Sequence, residues 1–154
     1  RTLAICPAIS PQHTVEQIAG SVIYERYFMG KWQALWRQKQ AAFPHLYDFS
    51  PMNQLGSIHT LTEVFIKEYT QFDNLQAYYA AYDLRGDVLD GVSATVLAAF
   101  DDPIIPARHY DSLPNSIDVN LTQHGGHTAY IKNWRLESWV DDYSRAFFSE
   151  RLNS

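Results

Sequence analysis

Apolar and polar positions along the chain change period several times, and each change predicts an element. TLAICPAI (2–9) is a short apolar run closed by Pro7 and by Ser10-Pro11, which reads as a buried strand ending in a loop. Thr14-Val15-Glu16-Gln17 then has the spacing of a capping box. Val15, Ile18, Val22, Tyr27, Phe28, Trp32, Leu35 and Trp36 follow at helical intervals, so one or two helices are expected over 14–41, with a break near Gly30 and a stop at Pro44. Pro51, Asn53 and Gly56 make 45–57 a loop. Thr60-Leu61-Thr62-Glu63 forms a second capping box, opening a helix to about Tyr69, and Asp73 or Asn74 can cap a shorter helix over 75–82.

The pattern then turns to β. VSATVLAAF (92–100) follows Asp90-Gly91 and is β-branched and apolar, which predicts a central strand. Pro103 and Pro106 mark a loop, ARHYDSL (107–113) a brief helix, and SIDVNLTQ (116–123) alternates as a strand does. In 135–152, Leu136, Trp139, Val140, Tyr143, Phe147 and Leu152 share one helical face. This order is that of an α/β protein and predicts a parallel sheet covered by helices.

Composition narrows the classes. A chain of 154 residues is long enough for one domain with a core of its own. A net charge of −5 argues against a nucleic-acid partner, which calls for a basic face. Cys6 is the single cysteine, so no intrachain disulfide can form, as in a reducing compartment. With no apolar run near 18 residues and no signal-peptide pattern, a soluble, cytoplasmic protein is expected. The sequence begins at Arg1, not methionine, and enters an apolar strand without a lead-in, which reads as the second part of a longer protein.

Chemistry concentrates behind two of the predicted strands. The first runs into Asp101-Asp102-Pro103 and the second into His124-Gly125-Gly126-His127. In open α/β sheets the loops at the carboxyl ends of strands carry the reactive groups. An acid and a histidine there are the orienter and base of a nucleophilic triad, the carboxylate fixing the imidazole tautomer and stabilising its cation. Gly125-Gly126 lets the chain bend sharply and leaves the His127 side chain projecting. Spacing does not choose between Asp101 and Asp102. A metal at H-x-x-H would need further ligands from His109, Asp101 or Asp102, and the intervening glycines favour a turn over a helical ligand pair. A loop histidine bonded to a carbonyl and a solvated aspartate turn before proline are the structural alternatives. In KWQALWRQKQ (31–40), tryptophans interleave with Lys31, Arg37 and Lys39. Packing onto neighbouring helices is preferred there over contact with lipid or an acyl chain.

These motifs resemble the C-terminal part of an α/β-hydrolase. DDPIIP after an apolar strand, QHGGH and a closing amphipathic helix are most similar to the YheT-type branch of hydrolases and esterases, as is FDNLQAYYAAYDL upstream. The resemblance covers essentially the whole chain. It implies one hydrolase domain with a helical cap insertion at about 12–60, an acid at Asp102 and a catalytic histidine at His127, with Asp101 and His124 supporting. It implies an acyl-enzyme mechanism on a small carboxylic ester with a hydrophobic acyl or alcohol group, without metal or organic cofactor. Thr128-Ala129-Tyr130 departs from the glycine and apolar residue that often follow this histidine. G-x-S-x-G, the elbow that bears the serine nucleophile, occurs nowhere in the sequence. The nucleophile and oxyanion hole are therefore expected upstream, in an N-terminal part of the same protein. The alternatives are a non-catalytic binding module and a hydrolase with a cysteine or aspartate nucleophile.

Overall fold

The computed structural model describes residues 1–149. The three apolar runs form one parallel sheet of β1 (Leu3–Ile5), β2 (Ala94–Ala99) and β3 (Ile117–Thr122), in that spatial order. β2 is bonded on both sides, and its Val96-Leu97-Ala98-Ala99 segment is buried, which is why it runs apolar without alternation. β1 stops well short of the expected 2–9. Cys6 turns to φ 45, and Pro7 has no N–H to offer a ladder. Because the strands are parallel, their carboxyl ends lie along one edge of the sheet.

α5 (Trp139–Ser149) begins later than the expected 135. An antiparallel bridge between Ile131 and Ser138 holds the intervening loop, in which Leu136 takes φ 59 and is exposed. Val140 and Tyr143 of α5 pack with Cys6, Leu97, Ala99 and Tyr130 and with Leu3 and Ile5, forming the core of this layer. Leu152, expected on the same helical face, lies outside the described residues.

The chain divides into two compact units, one made of 1–10 and 84 onward, the other of Pro11–Asp83. The helical unit contains α1 (Pro11–Ala19), α2 (Val22–Ala42), a 3-10 turn at Ser50–Gln54, α3 (Ile58–Tyr69) and α4 (Leu75–Tyr82). It extends past the expected limit of 60 because α3 and α4 pack against α1. Both predicted capping boxes fall inside helices. α1 starts at Pro11, whose fixed φ and missing N–H suit the first turn. α3 starts at Ile58, whose amide donates to Glu25 Oε1 of α2 at 3.1 Å. The break in the long helical stretch falls at Gly20-Ser21, where Ser21 Oγ caps the Tyr24 amide, and α2 runs unbroken through Gly30. Asn74, not Asp73, caps α4 by accepting the Ala77 amide at 2.9 Å.

Aromatic stacking fills the helical core. Trp36 lies between Phe49 and Phe65, with ring centroids 5.7 and 5.8 Å away, and Phe49 continues to Tyr47 and Tyr69. The tryptophans of the 31–40 segment thus pack among neighbouring rings, while Lys39 sits over Tyr47 at 4.2 Å. Val22, Tyr27 and Leu35, expected on the buried stripe, are exposed. Among the described residues no helix is long and apolar enough to cross a membrane.

Candidate active site

The site grows from the ends of adjacent strands. β2 makes its last rung through Phe100 N to Thr122 O, and the chain then turns, with Asp102 N donating to Ala99 O at 3.3 Å. Pro103 has no amide hydrogen, so Asp102 Oδ1 caps the next two amides, Ile104 N at 2.8 Å and Ile105 N at 2.9 Å. The other carboxylate oxygen, Oδ2, lies 3.0 Å from His127 Nδ1. The Asp102 side chain is fully buried, whereas that of His127 is 33% exposed. With the carboxylate accepting, Nδ1 carries the proton and Nε2 becomes the basic nitrogen. A buried carboxylate held by two amides and a histidine reaching solvent is an arrangement that can receive a proton and stabilise the resulting cation.

Asp101 has a different task. Its Oδ1 accepts from Gly125 N at 2.9 Å and Gly126 N at 2.8 Å, and its Oδ2 lies 3.4 Å from His124 Nδ1. The Gly126 amide, followed against some desolvation by Gly125 and His124, holds the Asp101 carboxyl below the ordinary carboxylate range. The aspartate doublet thereby splits, one member pinning the loop and the other contacting its histidine. His124 and His127 bond different carboxylates, so the H-x-x-H pair is not arranged around a common ion. His109 is buried within the 3-10 helix Ala107–Ser112.

The two glycines serve different purposes. Gly126 takes φ 56, a conformation that costs a side-chain-bearing residue energy. At Gly125 the constraint is space, since a Cβ there would stand 2.4 Å from Cε1 of Tyr130. Tyr130 closes the loop, its N bonding Gly125 O at 3.0 Å and its O accepting from Trp139 N at 2.7 Å.

Cys6 is a small buried residue at a strand end, as its sequence position suggests, but its meeting with Tyr130 is what sequence reasoning missed. The Tyr130 hydroxyl lies 3.5 Å from Cys6 Sγ, and the thiol also points at Gly126 O, 3.9 Å away. Burial pushes the Tyr130 phenol and the Cys6 thiol upward, so both stay protonated near neutrality. Cys6, Thr128 and Tyr130 all adopt left-handed backbone, at φ 45, 70 and 44. Such strain persists only where surroundings over-determine it, and it clusters at functional sites. No local motif foreshadows it, because Thr128 and Tyr130 are poor turn residues by type. An open cleft of about 530 Å³ lies beside the loop, lined by Asp101, His124, Tyr130, Lys132 and Trp139 among others, but not by Asp102 or His127.

No family model, curated protein or solved structure matches this chain.

Proposed function

We propose that this chain carries the acid and base of an α/β-hydrolase that cleaves carboxylic esters through an acyl-enzyme. The observation that carries the reading is the 3.0 Å contact between buried Asp102 and partly exposed His127, from loops at the carboxyl ends of adjacent parallel strands. Since G-x-S-x-G is absent from the sequence, the nucleophile is a serine outside these residues. His127 Nε2 takes the serine proton as the hydroxyl attacks the ester carbonyl. It returns that proton to the leaving alcohol, then activates water to release the acid. Asp102 orients the ring and offsets the positive charge of the imidazolium in each tetrahedral step. Neither step calls for a metal or an organic cofactor.

The test uses the full-length protein. Asp102→Asn retains an oxygen for the Ile104 and Ile105 amides but can turn an N–H toward His127 Nδ1, imposing the wrong tautomer. Ester turnover should fall about 10⁴-fold in this variant, and to a similar residual level in His127→Ala. Labelling by a fluorophosphonate should report the serine in the parent. Near-normal rates in both variants would overturn the reading.

A further inference from the structure

Among the described residues, Cys6, Asp102 and His127 bring one thiol sulfur, one carboxylate oxygen and one imidazole nitrogen within 4.8 Å of one another. The thiol takes no part in the proton transfers above, and its presence beside the acid–base pair needs a separate account. We propose that these three side chains form a binding site for a thiophilic divalent cation of the Zn²⁺ class, and that its occupancy switches the acid–base pair off. The inhibitory half rests on the hydrolase reading, whereas the binding half does not.

Three arguments support the site. Its geometry comes first. Zinc bonds of about 2.0–2.3 Å in a tetrahedron set neighbouring ligand atoms roughly 3.3–3.8 Å apart. The His127–Asp102 contact is 3.0 Å, and the Cys6 sulfur lies within 4.8 Å of the ligand atoms of both, so small side-chain adjustments would bring all three toward that tetrahedral spacing. The donor set comes second: one sulfur, one nitrogen and one oxygen suit zinc and exclude magnesium or calcium, which take oxygen ligands. Charge comes third. Cys6 and the Asp102 side chain are buried, and a thiolate beside a carboxylate is untenable there alone, but a divalent cation neutralises both. The protein supplies three ligands, leaving the fourth position to water or to the Tyr130 hydroxyl, which already lies 3.5 Å from the sulfur.

Metal and proton transfer exclude each other. Ligation draws Asp102 Oδ2 onto the ion, so the carboxylate no longer orients the His127 ring as proton acceptor. The ligated ring nitrogen cannot carry a proton, and the imidazolium that the mechanism requires cannot form.

Calorimetric titration of the metal-free full-length protein with ZnCl₂ should show one site that EDTA empties. Co²⁺ at the same site should give the near-ultraviolet charge-transfer band of a cobalt–thiolate bond. Cys6→Ser should abolish that band, and His127→Ala, altering a partly exposed side chain, should weaken binding by at least about 100-fold, the scale already seen for loss of outer-shell partners. Ester turnover, measured for each variant against its own metal-free rate, should be inhibited by Zn²⁺ in the parent and released by EDTA. A cobalt band unchanged by Cys6→Ser, or binding unaffected by both substitutions, would overturn the site. Absent binding alongside a rate collapse in Asp102→Asn would sink the metal inference and leave the hydrolase reading standing. Tight binding with no loss of turnover would retain the site and remove the switch.

Discussion

Replacing Gly125 by alanine isolates the packing that shapes the histidine loop. The added Cβ would stand 2.4, 2.7 and 2.9 Å from Cε1, Cδ1 and Cζ of Tyr130, where carbon atoms prefer about 3.5–4.0 Å. The ring therefore has to retreat by about an ångström, given that preferred spacing. It has little room to do so, since it is 4% exposed and tilts against Trp139 at 5.9 Å. Backbone bonds to Gly125 and Trp139 pin its Cα. Overpacking of this kind costs about 1–3 kcal/mol. Gly126→Ala meets nothing within 4 Å, so only its φ of 56 is strained, at about 1 kcal/mol. Urea unfolding of the full-length protein should rank Gly125→Ala as the more damaging. The decisive measurement is a double-mutant cycle with Tyr130→Ala. If the ring is the obstacle, the cost of Gly125→Ala drops close to zero once the ring is gone. An equal cost in both backgrounds would refute the steric explanation.

Further consequences concern charge and unmet polarity. Asp101 accepts the Gly125 and Gly126 amides in its ionised form and is held below its ordinary 3.8. Those bonds should persist above that value and be lost only as pH falls through the lowered pKa. The amide resonances of both glycines should titrate together with a midpoint under 3.8, and Asp101→Ala should remove the transition; a midpoint at or above 3.8 would contradict this. In the helical unit the buried Tyr79 hydroxyl has no hydrogen-bond partner among the described residues. Tyr79→Phe should stabilise the unit by about 1 kcal/mol, and a destabilised variant would show that the hydroxyl is satisfied. Burial, then Tyr78 and Glu16, push that phenol up to about 12 from 10.0, so the fold favours its neutral form. Stability should decline as pH rises from 10.0 toward about 12, and Tyr79→Phe should flatten the decline in alkaline unfolding curves.

The pattern of apolar and polar residues by itself determined that three strands form near 2–9, 92–100 and 116–123, that the unalternating central one is buried, and that helices separate the first two. It also placed the two aspartates and the two histidines behind successive strands, because strand ends are marked by local chemistry: prolines after β2, glycines after β3. Asn74 or its neighbour as a cap was equally legible, being a matter of one side chain and an amide three residues away.

Only the tertiary structure decided the remainder. Thr14 and Thr60 have cap spacing, yet Pro11 starts its helix earlier and Glu25, distant in sequence, takes the Ile58 amide. Asp101 and Asp102 are identical in type and adjacent, so no local rule distinguishes them. They part because the turn aims one at the Gly125 and Gly126 amides and the other at His127. The left-handed backbone of Cys6 and Tyr130 and their 3.5 Å contact span 124 positions. Periodicity reports that an element forms, since that depends on residues within a few turns of each other, but packing partners decide which positions are covered, as the exposed Val22, Tyr27 and Leu35 show. Which of several competent donors and acceptors meet is set by contacts that exist only after the strands have aligned.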